Sequence, residues 1–72
     1  GGRNVPKMTL KMLRVRDNLT QEAAAKALGI SPSTLSKWES GKSFPDVLDI
    51  NKIENLYRIN YNDIIFLPIN TV

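Results

Sequence analysis

Apolar residues along this chain recur three or four positions apart, as they do on one face of a helix. Val47, Ile50, Ile53 and Tyr57 form the clearest such stripe. No stretch shows the regular alternation of a half-buried strand. The pattern predicts an all-α fold of five helices and no strands. The helices are expected at residues 9–16, 21–28, 32–40, 47–57 and 61–66.

Residues that favour helix ends lie at most of these boundaries. Thr20 and Ser31 can cap the second and third helices with a side-chain oxygen, and Pro32 suits the first helical position. Gly29 and Gly41 suit the left-handed residue that follows a helix. Further signals are Asp46 before the fourth helix, Asn60 before the fifth and Pro68 after it.

The composition removes several kinds of chemistry. The 72 residues form one small domain and include neither Cys nor His, so disulfides, thiolate metal sites and the commonest general base are absent. We expect no metal, no cofactor, no small-molecule ligand and no enzymatic activity. The longest apolar run, residues 64–67, is far shorter than a membrane span, and no signal-peptide pattern is present. A cytoplasmic protein without membrane contact is predicted.

The net charge of +3 is unevenly distributed along the chain. Residues 1–45 contain eight Lys and Arg against three acidic residues, whereas residues 46–72 contain two against four. A basic half suggests a polyanion such as a nucleic acid as partner. An ordinary solvated surface would account for the charge equally well, so charge alone decides nothing.

Residues 21–40 match the twenty-residue frame of a helix-turn-helix at each diagnostic position. Ala25, at position five, faces the next helix, where a larger side chain would push the two helices apart. Gly29, at position nine, takes the left-handed conformation that a Cβ disfavours. The five positions that lock the helices together are apolar: Ala24, Leu28, Ile30, Leu35 and Trp38. The second and third helices are therefore predicted to form a helix-turn-helix.

The stretch LTQEAAAKALGISPSTLSKWESGKSFPD resembles the phage Cro/repressor-type helix-turn-helix family, and the resemblance extends over residues 8–67. It implies a compact five-helix bundle of the lambda-repressor-like type. It also implies a phage or prophage transcription regulator that binds double-stranded DNA through a helix in the major groove. Residues 1–7 are interpreted as a flexible arm, with Gly1 and Gly2 a remnant of expression, and residues 68–72 as a C-terminal tail.

The resemblance places base-reading residues near the start of the third helix. Ser33 and Thr34 lie where the family contacts bases, and Lys37 follows one turn later. A hydroxyl can pair with any base, the threonine methyl can meet thymine, and lysine favours guanine. Pro32 departs from the long polar residue that many relatives carry there, and it can give only an apolar contact. A solvated charge is the alternative for Lys37.

Five further residues match positions that contact backbone phosphates in the family. Gln21 starts the second helix, and the others flank the third helix: Ser31, Ser40, Lys42 and Ser43. Ser31 can instead act purely as a cap, Ser40 and Ser43 as ordinary polar loop residues, and Lys42 as a solvated charge.

The family pairs the position of Glu39 with a basic residue on the first helix, which here is Arg14. Such a bridge would neutralise an acid close to DNA. A partly exposed pair of this kind is worth about 0.2–1 kcal/mol. Two unpaired surface charges are the alternative. The spacing of Trp38 from Leu35 places both in the core, so Trp38 is not expected to stack on a base.

Relatives bind palindromic operators as two-fold dimers, and a weak homodimer on DNA is expected here. The apolar stretch IIFLPI supplies the candidate contacts Ile65, Phe66 and Leu67. Alternatively, this tail folds back over Tyr57 and Tyr61 and belongs to the core.

Two other functions stay open. The same module could serve as the DNA-binding head of a longer regulator, or as an antitoxin that also binds a toxin. From a different class, a protein-interaction adaptor could keep the fold without touching DNA. Lys37, Lys42 and the lack of acids on the same face argue against the adaptor. An enzyme would need a serine activated by lysine, and no Ser-x-x-Lys context supports one.

Overall fold

Four α-helices follow one another in the computed structural model, which describes residues 7–66. They are α1 (Leu10–Arg16), α2 (Gln21–Leu28), α3 (Pro32–Ser40) and α4 (Val47–Tyr57). A short strand, β1 (Met8–Thr9), precedes α1. A 3₁₀ turn (Tyr61–Asp63) and a second strand, β2 (Ile64–Ile65), follow α4.

The expectation of five helices and no strands is wrong at the end of the described chain. Residues 61–66 do not form a helix, because β2 pairs in parallel with β1, with Met8 opposite Ile64 and Thr9 opposite Ile65. This pairing satisfies the backbone of two β-branched residues, which suit a strand better than a helix. The proposed stop at Pro68 lies outside the described residues.

The helix starts follow from side-chain caps. The hydroxyl of Thr20 accepts a hydrogen bond from the N–H of Ala23 at 3.0 Å, and Ser31 accepts one from Thr34 at 3.1 Å. Asp46 accepts from the N–H of Asp49 at 2.9 Å. These three caps confirm the predicted starts of α2, α3 and α4. Asn60 makes no such bond.

The helix ends depend on residues in the left-handed region. Gly29 (φ 73°) follows α2 and Gly41 (φ 81°) follows α3, as the sequence predicts. The N–H of Ile30 then bonds to the carbonyl of Ala25 at 2.9 Å. This bond closes a Schellman motif and turns the chain directly into α3.

All four helices and Ile64 of β2 contribute to the core, in which α2 contacts both α3 and α4. Ala24 and Ala25 are fully buried, and their small side chains let the neighbouring helices approach closely. The largest completely buried side chains belong to Leu13, Leu28, Leu35, Ile53 and Tyr57. Within residues 7–66, no helix has the length and apolar character that crossing a membrane requires.

Candidate nucleic-acid interface

One side of α3 is buried and the other is open to solvent. Leu35 and Trp38 are 1% and 5% exposed and attach the helix to the core. The exposed residues are small, polar or basic, and none is acidic: Pro32, Ser33, Ser36, Lys37 and Ser40. Three of the four residues predicted to read bases therefore lie on the open side of α3.

Thr34, the fourth predicted base-reading residue, is half-buried. Its hydroxyl lies 3.0 Å from that of Ser31, and its N–H donates to the same Ser31 oxygen. Ser31 therefore functions as a helix cap in this structure, with Thr34 as its partner. Thr34 can offer a base its methyl group and whatever hydrogen-bonding capacity its bond to Ser31 leaves on the hydroxyl.

The ion pair expected between α1 and α3 is present. Arg14 Nε donates to Glu39 Oε2 at 2.8 Å, and Arg14 Nη2 donates to Glu39 Oε1 at 3.2 Å. A third bond runs from Arg14 Nη1 to the carbonyl of Leu19 at 3.1 Å. The side chains of Arg14 and Glu39 are only 13% and 6% exposed. The pair is therefore more buried than the partly exposed pair that the sequence analysis assumed when it gave a contribution of about 0.2–1 kcal/mol.

Glu39 is turned away from the exposed side of α3 by this pairing. The hydrogen bond to Glu39 is the main cause of a raised pKa at Arg14, so the guanidinium stays charged. A bidentate guanidinium matches the geometry of a carboxylate closely. The acid that would repel DNA is consequently neutralised within the protein.

Gln21 belongs to the same network, which the sequence did not suggest. Its Nε2 donates to Glu39 Oε1 at 3.1 Å. An amide carries two N–H groups, so one remains for a phosphate at the start of α2. The structure thus gives Gln21 a structural contact in addition to its predicted DNA contact.

The remaining predicted phosphate contacts lie at the C-terminal end of α3. The hydroxyl of Ser40 donates to the carbonyl of Lys37 at 3.3 Å. Lys42 is exposed and Ser43 half-buried in the turn after Gly41. Both of their N–H groups bond to the carbonyl of Lys37, at 2.9 and 3.3 Å. The turn therefore holds Lys42 and Ser43 against the last turn of α3.

A cleft of about 240 Å³ separates α1 from α3 and contains a lysine that sequence reasoning missed. Its lining consists of Lys11, Arg14, Gln21, Ser36, Glu39 and Ser40. Lys11 precedes Arg14 by three positions, and residues three apart share a helix face. Because Arg14 was predicted to lie next to α3, this spacing could have indicated that Lys11 lies near α3 as well.

A second surface, made by α4 and the residues around it, is apolar. Phe44, Val47 and Tyr61 are 59%, 74% and 48% exposed. Together with half-buried Ile50 and Phe66, they line two adjoining pockets of about 310 and 340 Å³. These five residues are called the apolar surface below.

Two of the three predicted dimer contacts, Phe66 and Ile65, lie within the described residues. Phe66 is half-buried, with its ring centroid 5.7 Å from that of Tyr61, and lines the apolar surface. Ile65 is half-buried in β2, where it pairs with Thr9. Leu67 lies outside the described residues.

Within residues 7–66, no three acidic side chains are grouped closely enough to hold a metal ion.

The helices α2 and α3 each have one buried side and are joined by a tight turn at Gly29. The second of them, α3, has a polar exposed side, and this arrangement is that of a helix-turn-helix. Residues 10–64 match the family model described as helix-turn-helix. The chain belongs to this family, in its Cro/C1-type branch. It is accordingly a DNA-binding helix-turn-helix domain of the kind found in transcription regulators.

Two relatives illustrate the similarity. The HTH-type transcriptional activator BcrR of Enterococcus faecalis is 36% identical over 56 residues, which are 78% of this chain and 28% of BcrR. An uncharacterized HTH-type transcriptional regulator of Methanocaldococcus jannaschii is 40% identical over 58 residues, 81% of this chain and 88% of that protein. The chain thus spans little more than a quarter of BcrR and most of the archaeal relative.

Proposed function

We propose that α3 is the recognition helix of a sequence-specific transcription regulator and lies in the major groove of double-stranded DNA. The exposed side of α3 carries this proposal, because it presents hydroxyls and a lysine while its one acid, Glu39, is bound by Arg14. The two relatives come from a bacterium and an archaeon. The proposal keeps the prediction of a phage or prophage regulator, and the two relatives add that cellular organisms also encode proteins similar to this chain.

Base reading is assigned to the exposed side and first turn of α3. Lys37 donates to guanine O6 or N7, and Ser33 pairs with a base edge through its hydroxyl. Thr34 meets a thymine through its methyl group, and Pro32 adds an apolar contact at the N-terminus of the helix. Lys37 supplies most of the sequence discrimination, since it is the one charged donor among the four.

Phosphate contacts are assigned to both ends of α3 and to the start of α2. Gln21 uses its free N–H, and Lys42 supplies a full charge next to the last turn of α3. The hydroxyls that complete the set belong to Ser31, Ser40 and Ser43, and Ser40 exchanges its 3.3 Å bond to the Lys37 carbonyl for the phosphate. Such contacts fix the position of the protein on DNA but carry no sequence information.

The test begins with selection of bound duplexes from a random pool, followed by footprinting of the preferred site. Lys37→Ala should then weaken binding to that site by about 1–3 kcal/mol and affect random duplexes much less. Lys42→Ala should weaken both alike and lower the slope of log K against log salt by about one. Equal weakening of every sequence by Lys37→Ala would contradict its assignment. A wild-type protein without salt-dependent duplex binding would instead favour the adaptor.

The proposal includes a weak homodimer on a palindromic operator. A nine-residue helix such as α3 reads only a few base pairs, and family members combine two half-sites about one DNA turn apart. We assign the contact to the apolar surface, occupied by the same surface of a second copy. Its few side chains cover far less than the roughly 800 Å² per partner of a stable interface. Pairing should therefore depend on DNA.

Val47 allows a sharp test of this dimer, because it is the most exposed residue of the apolar surface. Val47→Asp should leave folding and half-site binding unchanged and weaken palindrome binding by about 1.5–3 kcal/mol, since each copy loses a buried valine. Leu48→Asp is the matched control: Leu48 is 70% exposed but lines neither pocket. Gel shifts on full and half sites would measure both. Equal losses from the two variants would remove the apolar surface from the interface.

A further inference from the structure

The smaller of the two pockets on the apolar surface is lined by aromatic rings and is called the aromatic pocket. Its volume is about 310 Å³, and three rings, a proline and an isoleucine form its lining: Phe44, Tyr61, Phe66, Pro45 and Ile50. The rings of Tyr61 and Phe66 lie with their centroids 5.7 Å apart and make one wall. The second pocket, of about 340 Å³, adjoins it at Ile50 and Tyr61. Sites for small molecules begin at about 300 Å³, so each pocket is large enough for a small ligand.

A carboxylate lies where the two pockets meet. Glu54 lines the second pocket, and its Oε2 accepts the backbone N–H of Tyr61 at 2.8 Å. Within residues 7–66, its other oxygen accepts no hydrogen bond, and Glu54 forms no ion pair. The bond from Tyr61 therefore holds a full negative charge beside the ring that both pockets share, and it leaves one carboxylate oxygen free.

The surroundings of the aromatic pocket are acidic as well. Asp46 and Asp49 lie at the start of α4, each next in sequence to a residue of the pocket lining. Among the described residues, no lysine or arginine lines either pocket, and Lys52 of α4 places its ammonium near Gly29 instead. A second copy would bring the same carboxylates to this surface. An apolar molecule with a positive charge therefore suits the surface better in charge than a second copy does.

We propose that the aromatic pocket binds a small apolar cation, such as an aromatic amine or a quaternary ammonium compound, and that this ligand competes with the second copy. Aromatic faces attract cations through their quadrupole, and the Glu54 carboxylate adds a direct charge. Composition alone predicted no small-molecule ligand, because the pocket exists only where residues 44–50 meet residues 61–66. Binding of the cation is independent of DNA, whereas the competition rests on the proposed function, since it assumes that the homodimer uses the apolar surface.

The first test titrates the protein with benzyltrimethylammonium chloride and follows the backbone amide signals by NMR spectroscopy. Saturable shifts should centre on residues 44–54 and 61–66, with a dissociation constant on the order of 1 mM for a ligand of this size. Phenylacetate, an anion with the same ring, should bind about tenfold more weakly, because like charges repel. Equal binding of the two compounds, or shifts spread over the whole protein, would overturn the proposal.

Variants separate the contribution of the charge from that of the ring. Glu54→Gln keeps an acceptor for the Tyr61 N–H but removes the charge, so it should weaken binding of the cation about threefold. Tyr61→Leu keeps an apolar side chain without a ring and should also weaken binding, whereas Tyr61→Phe should restore it. The amide spectra report whether each variant is folded.

Glu22→Gln is the matched control for the charge. Glu22 is an exposed acid at the start of α2 and lines neither pocket, so this variant should bind the cation as the wild type does. Equal weakening by Glu22→Gln and Glu54→Gln would show that only the overall charge of the protein matters. That result would contradict a site at the aromatic pocket.

Gel shifts on the full and half sites test the competition. At about twice its dissociation constant, benzyltrimethylammonium should weaken palindrome binding about ninefold, because both copies must release the ligand. Half-site binding should equal that in sodium chloride of the same ionic strength. Saturable binding of the cation without loss on the palindrome would overturn the competition.

Failure of the proposed function would give a different result. A wild-type protein that prefers the palindrome to the half-site but does not bind the cation would overturn the aromatic pocket and leave the proposed function intact. A wild-type protein that binds neither duplex would contradict the proposed function, and the NMR titration would still decide whether the pocket binds the cation.

Discussion

Two neighbouring parts of the molecule are residues 20–41, called the α2–α3 unit, and residues 46–66. They differ in whether their buried polar groups have hydrogen-bond partners and whether glycine occupies the left-handed backbone positions. In the α2–α3 unit, both helices begin at a hydroxyl cap and end at a left-handed glycine. Its buried carboxylate, Glu39, accepts three N–H groups. In residues 46–66, α4 ends at Arg58 in the left-handed region, and the buried hydroxyl of Tyr57 has no hydrogen-bond partner within the described residues 7–66.

The difference indicates that the choice of residues is more constrained in the α2–α3 unit than in residues 46–66. The α2–α3 unit must present α3 at a fixed angle, and each of its local requirements is met by a suitable residue. Residues 46–66 complete the core and tolerate two unfavourable features. We therefore expect substitutions at the polar contacts of the α2–α3 unit to destabilise the protein, whereas selected substitutions in residues 46–66 should stabilise it.

Breaking the Arg14–Glu39 pair should have the largest effect. Arg14→Met leaves the Glu39 carboxylate, whose side chain is 6% exposed in the wild type, with Gln21 as its remaining hydrogen-bond donor within residues 7–66. Leaving a partly buried, hydrogen-bonded charge without its partner costs about 1–3 kcal/mol. Because Gln21 remains, we expect a loss of about 2 kcal/mol in the free energy of unfolding, measured by urea denaturation.

A double-mutant cycle separates the pair from its surroundings. Arg14→Met combined with Glu39→Gln removes both charges, so the combined loss should be clearly smaller than the sum of the single losses. Duplex binding should follow the same pattern, because unpaired Glu39 would repel phosphate. Additive losses in stability and in binding would show that the pair is not coupled.

Tyr57 should show the opposite behaviour, and most clearly at high pH. Burial, and secondarily the charge of Glu39, raises the pKa of Tyr57 to about 12, whereas a free tyrosine has a value of about 10. The folded state therefore retains the phenolic proton where the unfolded state has lost it. Stability linked to Tyr57 is complete below pH 10 and falls as the pH rises from 10 to 12, by about 2 kcal/mol.

Tyr57→Phe removes this pH dependence together with the unpaired hydroxyl. At pH 7 the variant should be more stable by about 1 kcal/mol, because a buried hydroxyl without a partner carries a desolvation cost. Its stability should also decline less between pH 10 and 12 than that of the wild type. Chemical denaturation at pH 7, 9 and 11.5 measures both effects. A loss of stability at pH 7 would mean that the hydroxyl has a stabilising partner.

The α2–α3 unit was predictable because its determinants are local. Thr20, Gly29, Ser31 and Gly41 each act on a helix end within three or four residues, so the pattern alone gives the bounds that the structure shows. Burial of Leu35 and Trp38 likewise follows from their spacing on one helix. Such signals require no knowledge of distant parts of the chain.

The features that were missed depend on contacts between distant residues. β2 forms because Ile64 meets Met8 across 56 positions, and nothing within residues 61–66 reveals that partner. The position of Lys11 beside Ser36, and the bond of Gln21 to Glu39, likewise require α1, α2 and α3 to be assembled. The sequence therefore predicted the exposed side of α3 better than the cleft next to it.

Arg58 gives the smallest expected effect and tests the comparison on a single backbone position. Its φ of 53° is costly for a residue with a Cβ, by about 1–2 kcal/mol. Glycine removes that cost but increases the freedom of the unfolded chain, which offsets about 0.5–1 kcal/mol of the gain. Arg58→Gly should therefore stabilise the protein by about 0.5 kcal/mol.

Two controls distinguish backbone strain from loss of the arginine side chain. Arg58→Ala keeps the Cβ and should give no gain. Gly29→Ala, at φ 73°, adds a Cβ whose nearest neighbour within residues 7–66 is Lys52 Nζ at 3.9 Å, so its expected loss of about 1 kcal/mol reports the backbone conformation. Urea midpoints at unchanged m-values would measure all three variants. Equal stabilisation by Arg58→Gly and Arg58→Ala would show that the side chain, not the left-handed backbone, is the unfavourable feature.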